Sequence, residues 1–253
     1  MGLLGIGGIV YIAILPFVLS KIGIPAYAIV QYTIANSIFS TFLAAFWGTI
    51  TLIRQKNYYG KEVVKIGAVA VMASLLALKI IVHSNVYSVK YFNTLIILVL
   101  LYILFRMLRS INIHEEDLED SSSVKCFLTG LAGGILSSLG GVGGGVVMIP
   151  ILNLWLKINI KKAKAISIGV IFFTSLGMSL INLLEEPIHE LVRYSVGYII
   201  FPVVIPIMAG VLLGAPFGVK VGKKISPKLT TIIFASFILC VIIRKVVELF
   251  DLN

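Results

Sequence analysis

The chain has 253 residues, 59% of them hydrophobic and 13% charged, with a mean hydropathy of +1.06. A soluble domain carries about 25% charged residues, so composition argues against a soluble fold and for an α-helical multi-pass membrane protein. The net charge of +10 comes from Lys and Arg set between apolar spans, which is membrane-protein placement rather than a nucleic-acid surface; the ~10-residue alternating segments of a membrane β-barrel are missing.

In chain order, residues 2–19 are apolar and hold Gly5, Gly7, Gly8 and Pro16. A turn at Lys21–Pro25 follows. Ala26–Ile53 is a long span with a polar stripe of Gln31, Thr33, Asn36, Ser37, Ser40 and Thr41. Arg54–Lys65 is a basic loop. Val63–Val82 and Val89–Leu108 are the next spans, separated by a polar turn at His83, Ser84 and Asn85. His83, His114 and His189 are expected in solvated loops. Arg109–Lys125 is hydrophilic, with Glu115, Glu116, Asp117, Glu119 and Asp120 before three serines, a linker composition.

A stretch with no charge runs from Cys126 to Leu156 and contains Leu139–Pro150, where five of twelve residues are glycine. Each glycine costs roughly 1 kcal/mol against Ala in a helix, so this is a break rather than a helix centre. Its flanks, Cys126–Leu139 and Gly145–Leu156, are 14 and 12 residues long, each about half a bilayer at ~1.5 Å per residue. A basic turn with Lys157, Lys161, Lys162 and Lys164 follows. Ala165–Leu184 carries Ser167, Thr174, Ser175, Ser179 and Asn182; Tyr194–Val219 carries Pro202, Pro206 and Pro216, expected to kink it; Leu229–Val247 is the last span. Cys126 and Cys240 are expected to be reduced packing residues, with no metal-ligand spacing.

The two halves repeat. A shift of 136 residues lays Gly5-Ile6-Gly7-Gly8 on Gly141-Val142-Gly143-Gly144 and Val71–Leu76 on Ile207–Leu212. The organisation reads as repeat 1 at 1–110, an acidic linker at 111–124 and repeat 2 at 125–253. The first glycine segment has only four residues before Gly5, so its hairpin is expected to be incomplete, either because the chain begins late or because repeat 1 lacks that arm. If all eight apolar segments cross, Lys and Arg divide 11 to 10 between the two sides. If both glycine segments dip in and return, the division is 15 to 6, which satisfies the positive-inside rule. The expected fold is therefore an all-α polytopic membrane protein of two inverted repeats, each a glycine-rich re-entrant hairpin plus three transmembrane helices, with eight hydrophobic segments in all.

The second arm of each hairpin begins at its glycines. There the free N–H groups and the positive end of the helix dipole would hold an anion without a buried cation. The expected binding residues are Gly5, Gly7, Gly8, Gly141, Gly143, Gly144 and Gly145, with Gln31, Thr33, Asn36, Ser167, Thr174 and Ser175 as side-chain donors; Pro150, Pro202 and Pro206 would serve gating. The alternative is that the glycines permit tight helix packing and that the hydroxyls bond helix carbonyls. No cofactor motif is complete: Val146 stands where a dinucleotide fingerprint needs its third glycine. Neither Ser–His nor paired Asp lies within the spans, so no enzymatic activity is expected.

Gly141-Val142-Gly143-Gly144-Gly145, followed by Pro150 and Leu152, and then Phe172-Phe173-Thr174-Ser175-Leu176, resemble the TauE/SafE family of sulfite and organosulfonate exporters. The resemblance extends over essentially the whole chain. It implies eight hydrophobic segments and export of sulfite, an organosulfonate or thiosulfate across the cytoplasmic membrane. Repeat 1 departs from the pattern: Ile9 replaces the third glycine and Ile14 stands at the place of Pro150. Tyr32-Thr33-Ile34 stands where many members carry Thr-Asn-Lys. The expected partners are the lipid bilayer and a small sulfur-containing anion, with no nucleic acid and with a homodimer left open. An anion channel with the same site, or a non-transporting membrane scaffold, are the other readings.

Overall fold

The computed structural model describes residues 7–83, 87–108, 122–141, 145–187, 194–222 and 227–250. These form the helices α1 (Gly7–Ile22), α2 (Ile29–Arg54), α3 (Gly60–Ala77), α4 (Val89–Leu108), α5 (Ser123–Gly140), α6 (Gly145–Leu154), α7 (Ile160–Leu184), α8 (Phe201–Gly222) and α9 (Pro227–Phe250). A π-helical turn, Leu78–Val82, extends α3. A minimal hairpin of β1 (Ser195–Val196) and β2 (Ile199–Ile200) precedes α8. Among the described residues, four helices are long and apolar enough to cross a membrane: α2, α3 with its π turn, α5 and α7.

The breaks between helices have local causes. Gly23 takes a φ of +96° and Pro25 follows, so α1 ends there. Asn159 caps α7 by accepting from the N–H of Lys161 at 2.9 Å, which supplies one of the donors that a helix start leaves unpaired. The prolines of the Tyr194–Val219 span lie inside one helix, α8; Pro202 sits in its first turn, where the missing N–H has no helical partner to lose.

The ends of the helices fall into two groups. Glu62 at the start of α3 pairs with Lys162 at the start of α7 at 3.3 Å. Val63, Ile66, Cys126, Leu152, Leu156 and Ala163 share one buried cluster there. So α6 runs back along α5, and its end returns to the level where α5 began. Arg54, Lys56, Lys61, Lys65, Lys125, Lys157, Lys161 and Lys164 lie at this basic end. At the opposite end, His83, Asn182, Tyr198 and Tyr32 meet.

The helices are packed in pairs, α2 on α7, α3 on both α5 and α7, and α4 on α9. The α3–α5 contact is made backbone to backbone. A Cβ at Gly130 would lie 2.6 Å from the Ile66 carbonyl oxygen, and one at Gly134 would overlap the Ala70 carbonyl oxygen. Large side chains such as Phe17, Met72, Leu98 and Leu213 are exposed, as a lipid-facing surface requires. Cys126 is buried and Cys240 exposed, both free, so only Cys126 fills the packing role expected of the pair.

Two features differ from the sequence expectation for physical reasons. The first arm of the glycine segment is not half a bilayer: α5 has 18 residues, roughly 27 Å, because Ser123–Lys125 join the helix. His83 is not solvated. Its side chain is 7% exposed and lies 3.4 Å from Glu185, because the π turn carries it under the β-hairpin. His114 and His189 lie outside the described residues.

Candidate functional site

The chain breaks where the glycines predicted it. The last α5 residue is Gly140, and Gly141 takes φ +61° while its N–H closes on the Ser137 carbonyl at 3.0 Å. That left-handed conformation suits glycine because it has no Cβ. A Cβ there would also press to 3.3 Å from the Ile34 Cα on α2. The chain is helical again from Gly145, and α1 likewise opens at Gly7, with Gly8 buried. Gly5, Gly143 and Gly144 lie outside the described residues.

The carbonyl end of α5 is held from two sides. The Ser37 hydroxyl of α2 donates to the Gly141 carbonyl at 2.6 Å, and the Tyr87 phenol, from the segment before α4, donates to the Leu139 carbonyl at 2.8 Å. Ser37 is the ninth of the 26 residues of α2. The break thus lies roughly 12 Å from the start of α2 at ~1.5 Å per residue, on the His83 side of that helix's midpoint.

The polar residues expected around the break differ in what they bond. Thr33, one turn from Ser37, and Ser167 are fully buried, and their hydroxyls have no hydrogen-bond partner among the described residues. Ser137, on the last turn of α5, is in the same state. Thr174 and Ser175 return their hydroxyls to their own helix, Thr174 to Val170 and Ile171 at 3.1 Å and Ser175 to Ile171. Gln31 stays at the start of α2, its side chain beside the carbonyls of Tyr27 and Ala28.

Asn36 is occupied in another way. Its amide donates to the Tyr32 and Tyr198 carbonyls at 2.7 and 3.0 Å and accepts from the Ile200 N–H at 2.9 Å. It pins the segment 194–200 to α2. Tyr198 stacks on His83 with ring centroids 5.1 Å apart, and its N–H bonds the Asn182 carbonyl. His83 Nε2 meets Asn182 Oδ1 at 3.1 Å. Neighbouring residues of α2 therefore hold two structures, Asn36 the β-hairpin and Ser37 the glycine break. Pro150 is the sixth residue of α6, and Pro202 and Pro206 lie in the first turns of α8.

Sequence reasoning missed Tyr87, Ser137 and the roles of Ser37 and His83. It also missed a buried ion pair on α9. Lys245, with 2% of its side chain exposed, meets Glu248 at 2.6 Å, and Arg244 meets Glu248 at 3.0 Å while donating to the Ala13 carbonyl of α1 at 2.9 Å.

Comparison with known proteins agrees with the motif. The family model described as sulfite exporter TauE/SafE matches residues 1–245. A protein of Methanocaldococcus jannaschii described as a probable membrane transporter is 32% identical over 178 residues. That match covers 69% of this chain and 64% of the relative, so it spans just under two thirds of the relative's length. No solved structure matches.

Proposed function

The chain belongs to the sulfite exporter TauE/SafE family and is a multi-pass membrane protein; from that footing we propose that it is a secondary transporter exporting a small sulfur-containing anion, namely sulfite, an organosulfonate or thiosulfate. The observation that carries this reading is the helix–break–helix at Gly141–Gly145, from which α6 runs back beside α5. A helix start inside the bundle offers N–H groups and a positive dipole end to an anion. Gly7 and Gly8, at the start of α1, supply the second such start from repeat 1. Thr33, one turn from Ser37, adds a hydroxyl whose hydrogen-bonding capacity is unspent among the described residues; Ser167, beside the Ile168 that faces Gly48 on α2, lies about 16 Å further toward the basic end.

Two inverted repeats account for the pairing of helices. In this reading α2 corresponds to α7, α3 to α8 and α4 to α9. The packing of α2 on α7 and of α4 on α9 brings two of the three equivalent pairs together, which supports a pseudo-twofold arrangement, while α3 packs on α5 and α7. The basic end faces the cytoplasm by the positive-inside rule. Rocking one repeat against the other alternates access to the break, with Pro150, Pro202 and Pro206 as the points of adjustment. Efflux follows from the membrane potential, which drives an anion outward by ~2.3 kcal/mol per charge per 100 mV.

A binding panel on the purified protein tests the reading. Sulfite, thiosulfate, taurine, sulfoacetate and sulfate are titrated separately. Saturable binding of at least one sulfur anion is expected. Binding only of a cation or a neutral solute would overturn it.

A further inference from the structure

We propose that Lys245 and Arg244 form a second anion-binding site at the His83 end of the bundle, in which Glu248 is a tethered occupant that a small sulfur-containing anion displaces. The inference rests on the anion reading above for the class of ligand and adds a site to it. An ammonium held inside a membrane bundle is costly and marks a functional position by default. The Lys245 side chain is 2% exposed, whereas that of Arg244, the residue before it, is 42% exposed. Lys245 thus turns inward near the end of α9, where a lysine commonly extends to the interface.

The Glu248 carboxylate shows how an oxyanion fits. One oxygen takes the Lys245 ammonium at 2.6 Å and the other the Arg244 Nε at 3.0 Å, so two cations share one negative charge. Lys21 adds a third cation: its Nζ lies 4.5 Å from the centre of the Phe17 ring, which also carries the Arg244 guanidinium at 5.8 Å. Glu248 itself is weakly placed. It stands in the last turn of α9, where a carboxylate faces the negative end of the helix dipole. Lys before Glu is also the less favourable order for a pair on one helix. The Glu248 side chain is 29% exposed, so solvent reaches the pair from the carboxylate's side.

A second observation points to a ligand here. Asn93 of α4 is 0% exposed, and neither its amide nitrogen nor its oxygen has a hydrogen-bond partner among the described residues. Buried amides are ordinarily paired. The preceding residue, Phe92, sets its ring 5.6 Å from Lys245 Nζ, and α4 packs on α9. An anion on Lys245 gives the idle Asn93 amide an acceptor. Phe92 also meets the Tyr87 ring at 6.5 Å, and the Tyr87 hydroxyl donates to the Leu139 carbonyl at the glycine break. The second site therefore stands one aromatic pair from the break, where an anion leaving toward the His83 end meets it.

The test uses the full chain purified in detergent and titrated calorimetrically with sodium sulfite and sodium thiosulfate. The unsubstituted chain is expected to bind two anions, the weaker one at Lys245. Glu248→Gln removes the competing charge and is expected to tighten that weaker event about tenfold, the worth of one hydrogen bond between charged groups. Saturating anion is also expected to restore the thermal stability that Glu248→Gln loses, because the anion replaces the missing carboxylate. Lys245→Met with Glu248→Leu removes both charges and keeps the fold; it is expected to lose the weaker event and keep the other. Unchanged affinity and stoichiometry in both variants make the cluster a structural ion pair, which overturns the inference while leaving the anion reading intact. Absence of saturable binding of either anion to all three proteins overturns both. If Glu248→Gln does not fold, the double variant decides alone, by losing or retaining the weaker event.

Discussion

Replacing Gly134 by alanine measures how closely α5 is held to α3. The added Cβ overlaps the carbonyl oxygen of Ala70, with that residue's carbonyl carbon and Cα each 3.1 Å away. These are backbone atoms inside a helix, so no rotamer change relieves the overlap and the two helices must separate. Overpacking of this kind costs about 2–3 kcal/mol, while alanine regains about 1 kcal/mol of helix propensity. The expected net loss is about 1–2 kcal/mol. Gly210→Ala in α8 is the control, because a Cβ there meets nothing within 4 Å. It is expected to gain about 0.5–1 kcal/mol from propensity alone. Unfolding in detergent, followed by the fluorescence of Trp47 and Trp155, places the two variants on opposite sides of the unsubstituted protein. Equal or greater stability of Gly134→Ala than of Gly210→Ala would refute a backbone contact between α3 and α5.

Asn36→Leu leaves the Tyr198 carbonyl and the Ile200 N–H without their partner, and a loss of about 2–4 kcal/mol is expected from two stranded buried groups, read by the same unfolding assay. Glu248→Gln strands the buried Lys245 cation; since Glu248 is partly exposed, the expected cost is about 2 kcal/mol, and Lys245→Met with Glu248→Leu recovers most of it by removing both charges. For orientation, single cysteines at Asn57 and Ser88 are introduced in a Cys240→Ser background. An impermeant maleimide added to intact cells is expected to label Ser88→Cys and to reach Asn57→Cys only after permeabilisation; the reverse pattern would invert the topology.

The glycines of Leu139–Pro150 carried two readings in the sequence, an anion site or a packing seam. The helix ends at Gly140 and begins again at Gly145, a break that their density predicts. Gly130 and Gly134 form the seam, at a four-residue spacing that aligns small residues on one helix face; the same uncharged run contains both sets. Helix existence was legible because apolar length alone decides it. The length of α5 was not, because Ser123–Lys125 look like linker yet continue the helix. The hydroxyls of α2 and α7 were legible as buried polar groups, but periodicity does not say which one crosses to another helix. Ser37 does and Ser175 does not. Tyr87 reaches the break from a segment about 50 residues away in sequence, a contact that a single chain read in order does not signal. His83 was misread for the same reason: its partners Asn182, Glu185 and Tyr198 all come from the other half.

Counterflow of labelled sulfite and thiosulfate in liposomes tests the central claim most directly, with Gly143→Leu measured beside the unsubstituted protein. The account predicts saturable uptake of at least one anion against its own unlabelled pool, lost in Gly143→Leu. Flux that rises linearly with concentration without counterflow, or counterflow that persists undiminished in Gly143→Leu, would contradict a carrier whose site is that break.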